Sequence, residues 1–341
     1  MTDAVLSHAD AQRTVQAIAS VQLPDGRIPW VAGGRTDPWN MVEAAMALDA
    51  GGRHEAAARA YGWLARRQEA HGGWYAYYDH TGVVDATLDT NISAYIAVGV
   101  WHHWLTTGDE RFRDRLWPVV DRAIAHVVEH QQPTGEIAWR ADDPADGALL
   151  TGSSSVHASL RCAIALAETL ESPRPEWDVA LVLLADAIAN REPSFLDKSR
   201  WAMDWYYPVL GGVLTGDAAI ARIEERWDAF VVEGLGVRCV SDRPWITAAE
   251  TCELALALNA VGDSDRARAL VEWAQFLRHH DGSYWCGMNF EGERFDDPGE
   301  YFTADQPTWN SAAVVLANAV LSGDVATVAV FAPDAVLTEL S

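Results

Sequence analysis

Acidic residues and aromatic rings share the same short stretches of this chain. Asp37 stands two positions before Trp39, Asp142 and Asp143 follow Trp139 and Arg140, Asp204 adjoins Trp205, Tyr206 and Tyr207, and Glu250 follows Trp245. Asp85 and Asp89 follow the ring-rich stretch that holds Trp74, and Glu293 lies between Trp285 and Trp309. Cleavage of a glycosidic bond needs two carboxyl groups of unlike environment, one protonated to donate and one ionised to accept or attack. Apolar walls and neighbouring charges push such pKa values apart. Flat rings beside carboxylates suit a ligand that is apolar on its faces and hydroxylated at its edges, and a sugar has that character.

Each candidate also has a plain structural reading. Asp37 precedes a proline at the favoured first helical position, and Asp89 opens a helical stretch, so both suit helix N-caps as well as sugar hydroxyls. Glu43 lies inside the helix that Asp37 opens and faces either a buried interior or the pocket; in both cases it needs a partner. Glu250 and Glu253 interrupt the otherwise apolar "RPWITAAETCELALAL", where a carboxylate is costly unless paired or used. His157 in "LLTGSSSVHASL" suits a structural role or the pocket wall. No His/carboxylate spacing argues for a metal and no glycine-rich cradle for a phosphate, so neither metal nor cofactor is expected.

The elements that must position these residues are helices. Helical periodicity is found at about 5–21, 38–50, 53–70, 90–107, 110–131, 154–170, 175–191, 201–215, 217–231, 246–261, 264–279 and 307–322, with almost no strand alternation. Short turns such as "DAGGRHE" and "LESPRPE" alternate with longer connections, 22–37, 71–89, 132–153, 192–200, 232–245 and 280–306, that hold the rings and acids. Successive antiparallel helices put the short links at one end and the long links at the other. Even-numbered helices of the series are poor in charge ("NISAYIAVGVWHHWL"), whereas odd ones carry charge on one face ("AAARAYGWLARRQ"), which predicts an inner and an outer layer.

Six helices of each kind, closing on themselves, make an all-α (α/α)6 toroid, a six-hairpin barrel. One domain over 1–341 is expected, with 322–341 as a C-terminal extension; an open helical solenoid is the alternative. In the toroid the loop residues ring one funnel. Trp39, Trp74, Trp139, Trp205, Tyr206, Trp245, Trp285 and Trp309 would supply its aromatic wall, and Asp37, Glu43, Asp85, Arg140, His157 and Asp204 its polar contacts. Some of the tryptophans are expected only to cap the core.

Composition narrows the partners. A formal net charge of −24 argues against nucleic acid, which needs basic patches. No run of about 18 apolar residues occurs, so no membrane span is expected. The start "MTDAVLSHADAQRTVQ" lacks the basic segment and apolar core of a signal peptide, which points to a cytoplasmic protein. Cys162, Cys239, Cys252 and Cys286 have neither CxxC spacing nor the density of a disulfide scaffold, and read as buried thiols.

Four stretches share an outline: "QLPDGRIPW", "QEAHGGWYAYYDHTG", "QQPTGEIAW" and "HHDGSYW" each place a Gln or His, then a Gly, then a Trp. The outline resembles the repeat of squalene/hopene cyclases and protein prenyltransferase β subunits, also toroids of paired helices. Their chemistry is not matched. "VVDATLDTN" is the nearest stretch to the DxDD acid motif, no third zinc ligand joins Cys239 and Cys252, and "YWCG" resembles a lanthionine-cyclase zinc segment without its Cys-His-Gly partner.

A second resemblance is to glucoamylase-like glycoside hydrolases, themselves (α/α)6 toroids. It is carried by the run from "LDTNISAYIAVGVWHHWLTTGDERFRDRLWPVVDRAIAHV" to "PTGEIAW" and by "FEGERFDDPGEYFTADQPTWNSAAVVLANA", roughly residues 85–160 and 285–322. The resemblance implies Glu293 as catalytic base, with Phe295 beside it and Thr308 and Trp309 opening the next helix. The family's general acid, a Glu directly after the loop Trp, is Arg140 here. A guanidinium donates no proton at neutral pH, which leaves Asp142, Asp143, Asp89 or Glu250 to supply it. The expectation is an enzyme that hydrolyses a small-molecule or oligosaccharide substrate. The alternatives are a terpene-cyclase or prenyltransferase-like enzyme and a catalytically inactive sugar-binding toroid.

Overall fold

The computed structural model describes residues 4–291 and 305–332, and every expected helix forms within them. In chain order they are α1 (His8–Val21), α2 (Pro38–Ala50), α3 (His54–Arg67), α4 (Thr90–Ala94), α5 (Ile96–Thr107), α6 (Glu110–Val128), α7 (Leu150–Thr169) and α8 (Pro175–Asn190). Then follow α9 (Ala202–Leu210), α10 (Gly216–Phe230), α11 (Ala248–Ala260), α12 (Ser264–Trp273), α13 (Thr308–Leu321) and α14 (Val325–Phe331). The expected helix at 90–107 is interrupted at Tyr95, giving α4 and α5. The inner ring runs α2, α4–α5, α7, α9, α11 and α13. Each packs on the next and α13 packs back on α2, so the ring is closed and the solenoid alternative is excluded.

Burial follows the charge pattern. Every residue of α11 from Ala248 to Leu258 is buried, as an inner helix surrounded by protein requires. Outer α3 buries one stripe (Ala56, Ala57, Ala60, Tyr61, Trp63 and Leu64) and leaves its arginines to solvent. All inner helices begin at the end where the long connections lie.

The repeated Gln…Gly outline proves to be a clamp between outer helices. Gln22, Gln68 and Gln131 each donate from the side-chain amide to the carbonyl of Gly26, Gly72 or Gly135, at 3.1, 2.7 and 2.8 Å. The same amides reach the carbonyls of Ala56 in α3, Val119 in α6 and Ala180 in α8. The three glycines have φ near 100° (99°, 104° and 101°), a conformation that L side chains avoid. A Cβ on them would come within 2.2, 2.3 and 2.4 Å of the carbonyls of Arg59, Arg122 and Leu183. Gly282 docks in the same manner on Arg13 of α1 and closes the outer layer. Between α10 and α12 an Arg266–Glu224 ion pair at 2.6 Å makes a further tie.

Two departures from expectation concern the ends of the barrel. The long connections contain short strands: an antiparallel hairpin, β1 (Tyr77–Asp79) with β2 (Gly82–Asp85), and an antiparallel sheet in the order β3 (Val231–Val232), β4 (Gly236–Arg238), β5 (Trp245–Thr247), β6 (Gly287–Asn289). Strands this short leave no alternation for a sequence to display. At the opposite end the first part of the C-terminal extension is not a tail. The chain bends by 105° after α13, and α14 packs against α5, α11 and α13, with Thr327 bonded to His102 at 3.0 Å. Among the described residues no single helix is long and apolar enough to cross a membrane.

Candidate active site

The inner helix N-termini and the long loops meet at one end of the ring, where the funnel is expected. One wall is a row of rings: Trp30 meets Tyr77 edge-on at 5.8 Å and Trp309 at 6.0 Å. The guanidinium of Arg35 lies 4.1 Å over Trp30 and 4.4 Å over Tyr77, a cation–π contact that fixes both faces. The indole N–H of Trp309 is buried without a hydrogen-bond partner among the described residues. Trp139 is half-buried, with the Arg140 guanidinium 5.6 Å over its ring. Trp245 is buried in β5 and Trp285 is half-buried.

The carboxyl groups divide by environment. Asp37 caps α2, accepting from Asn40 N at 2.8 Å, Asn40 Nδ2 at 2.7 Å and Trp30 Nε1 at 2.6 Å; burial raises its pKa against those bonds. Asp89 caps α4 through Ile92 N at 2.9 Å. Burial, with the nearby Asp37 charge, lifts its pKa to about 6. Asp89 also pairs through its backbone with Arg140, which ties the two loops together. Asp204 accepts from Thr151 Oγ1 at 2.6 Å and is raised by burial. Glu250, in the first turn of α11, is buried and accepts from the Thr247 hydroxyl. The Cys239 and Cys286 thiols are pushed up by burial and by the adjacent Glu250 charge.

Deeper lie two acid–phenol pairs. Tyr95 donates to Glu43, whose pKa burial lifts to about 7. Tyr206 and Tyr207 both donate to Glu253, Tyr207 at 3.1 Å, and burial lifts that group to about 8. Trp39 stacks on Tyr95 at 4.5 Å and donates to Ser155 Oγ at 3.2 Å. Glu43 and Tyr206 were expected at the site from the sequence; Tyr95 and Arg35 were not. A phenol within the apolar "NISAYIAVGV" was the available signal for Tyr95.

Several expected contacts are not in the funnel. Trp74 is fully buried and donates to the Leu64 carbonyl of α3. Trp205 is fully buried, donates to the Arg222 carbonyl and stacks on Phe230 of α10 at 5.3 Å. Both face the outer layer. His157 is seven residues past the start of α7, roughly 10 Å down the helix, and donates to the Gly211 carbonyl at 2.8 Å at the opposite end of the barrel. Burial lowers it to about 4. Asp85 is exposed and its pKa is lowered by hydrogen bonds from Thr87. Asp142 is paired with Arg140 at 2.9 Å and its pKa is lowered by that bond, the reverse of what a proton donor needs. Glu293 and Phe295 lie outside the described residues. Among the described residues no group of three or more His, Cys, Asp or Glu is placed to hold a metal ion.

The fold and this carboxyl-lined funnel define a toroidal carbohydrate enzyme, and known structures share the architecture. A wild-type glycosidase superposes with a TM-score of 0.73 at 16% identity, covering 93% of this chain and 96% of that one. A GH63 mannosylglycerate hydrolase from Thermus thermophilus does so with a TM-score of 0.70 at 12% identity, covering 89% and 98%. No family model matches the chain. Its sequence is 49% identical over 321 residues to the MMP endo-(1,4)-3-O-methyl-alpha-D-mannosidase of Mycolicibacterium hassiacum, covering 93% of this chain and 88% of that protein. The chain belongs to that mannosidase's family and is a glycoside hydrolase. The cyclase, prenyltransferase and non-catalytic alternatives fall away with that membership.

Proposed function

We propose that this glycoside hydrolase cuts an α-(1,4)-linked chain of 3-O-methyl-D-mannose at internal bonds. The likeness to the Mycolicibacterium hassiacum protein, whose name specifies that bond and sugar, supports the substrate. The observation that carries the mechanism is the placement of two carboxyl groups on facing stations of the ring. Asp89 caps the second inner station, α4–α5, and Glu250 opens the fifth, α11; in a ring of six these stations stand opposite. Asp89, at about 6, keeps a proton on a useful fraction of molecules near neutrality and gives it to the glycosidic oxygen as the C–O bond breaks. Glu250 serves the opposite face of the sugar, as base toward water or as nucleophile. Asp37 raises the pKa of Asp89, and the edge-on rings of Trp30, Tyr77 and Trp309 form the wall against which the pyranose rests.

The test is turnover on a reduced-end-labelled α-(1,4)-3-O-methylmannose oligosaccharide. Fragments of intermediate length are the expected first products; release of monosaccharide alone from one end would sink internal cleavage. Asp89→Asn and Glu250→Gln should each lower kcat by roughly 10²–10⁴. Full activity of Glu250→Gln together with an inactive Glu293→Gln would move the base to Glu293.

A further inference from the structure

Beneath the funnel floor the inner ring encloses a narrow axial shaft. Its lining has a simple register. The sixth residue of each inner station reaches it: Glu43, Tyr95, Ser155, Tyr207, Glu253 and Ala313. One turn deeper the ninth residues, Val98, Ala158, Leu210 and Leu256, line it with hydrocarbon. Residues three apart share a helix face, so the two levels stack as a polar collar over an apolar tube. Val330 and Phe331 of α14 seal the bottom. The carboxyl pair assigned to bond cleavage makes no use of this space.

We propose that the shaft is the subsite for the O-methyl group of the bound sugar, with the collar contacting the ether oxygen and neighbouring hydroxyls while the methyl enters the apolar tube. The inference rests on the methylated-mannan reading above, which it deepens by naming the residues that set the preference. A methyl ether accepts a hydrogen bond but donates none. The collar matches this with donors: Glu253, lifted by burial to about 8, and the protonated fraction of Glu43, lifted to about 7, each accept from a neighbouring phenol and keep their own O–H to give. Glu250 lies one turn above Glu253 on α11, so a sugar poised for cleavage sits directly over the opening.

The experiment compares methyl 3-O-methyl-α-D-mannoside with methyl α-D-mannoside by calorimetry and intrinsic tryptophan fluorescence, in the wild type and in two tube-filling variants, Leu256→Phe and Ala158→Leu. Burying one methyl group should favour the ether by roughly fourfold in the wild type. Each variant should bring the ratio to about one without weakening the unmethylated sugar, and circular dichroism identifies a variant that has not folded. A preference retained in a folded variant, or absent from the wild type, overturns the subsite. Cleavage of the methylated oligosaccharide is measured on the same wild-type sample. If it is cleaved while the binding ratio ignores the variants, the shaft assignment fails and the substrate reading stands. If the ratio responds but no cleavage occurs, the subsite stands and the substrate reading fails.

Discussion

Glu253 and Glu43 carry a consequence for pH that can be signed. Both hold their proton more tightly in the folded protein, at about 8 and about 7, than at the usual 4.5. Their contribution to stability is therefore complete at acidic pH below the unfolded value and is lost as pH rises through the folded values. The melting temperature should fall between about pH 4.5 and pH 8, and Glu253→Gln should remove most of that slope; a flat profile in the wild type would refute the raised values. Asp142 behaves oppositely, being ionised already by its bond to Arg140. Asp142→Asn should cost less than about tenfold in kcat, or 1.4 kcal/mol of barrier, where Asp89→Asn costs far more. The sequence made Asp89 and Glu250 visible because a carboxylate at or inside an apolar helix demands a reason. It misplaced Trp74 and Trp205 because the loop that holds a ring says nothing about which side of the wall the ring faces. His157 could have been placed by counting, since its distance from the helix start already puts it below the funnel.

The helical hairpins were legible almost throughout, because short polar turns and the contrast between charged and uncharged helices survive in the residue pattern. The Gln…Gly…Trp outline was legible as a repeat but not as a device: only the structure reveals that its Gln bridges the turn and the next outer helix. At Gly72 a Cβ would lie 2.3 Å from the Arg122 carbonyl and φ is 104°. Gly72→Ala should therefore cost about 1–3 kcal/mol, read as a lower denaturant midpoint with an unchanged slope, and an unaffected midpoint would show that the clamp does not hold α3 to α6. The register of sixth and ninth residues was present in the sequence as well. It could not be seen there because helix starts are uncertain by two residues or more, and one residue of error turns the wrong face inward. The strands β1–β6 and the plug α14 escaped notice because segments so short have no period to detect.

At the scale of the whole molecule, closure joins parts that are far apart in the chain. Gly282 rests on Arg13 of α1, and Arg278 reaches Asp10 at 2.6 Å, so the last outer hairpin shares its stability with the first. Hydrogen exchange should report this: Gly282→Ala is expected to lower protection in α1 and α12 together while α6 and α8, across the ring, change least. Loss confined to α12 would mean that the two hairpins open independently. The same closure reaches the base of the barrel, where Phe331 seals the shaft. Among the described residues this leaves a vessel with a single mouth. A polymer cut inside it yields two fragments that face the same doorway, and no tunnel carries one of them onward while the other stays. Each turnover must then clear the entrance before the next chain can dock, so fragments that linger at the rim compete with fresh substrate.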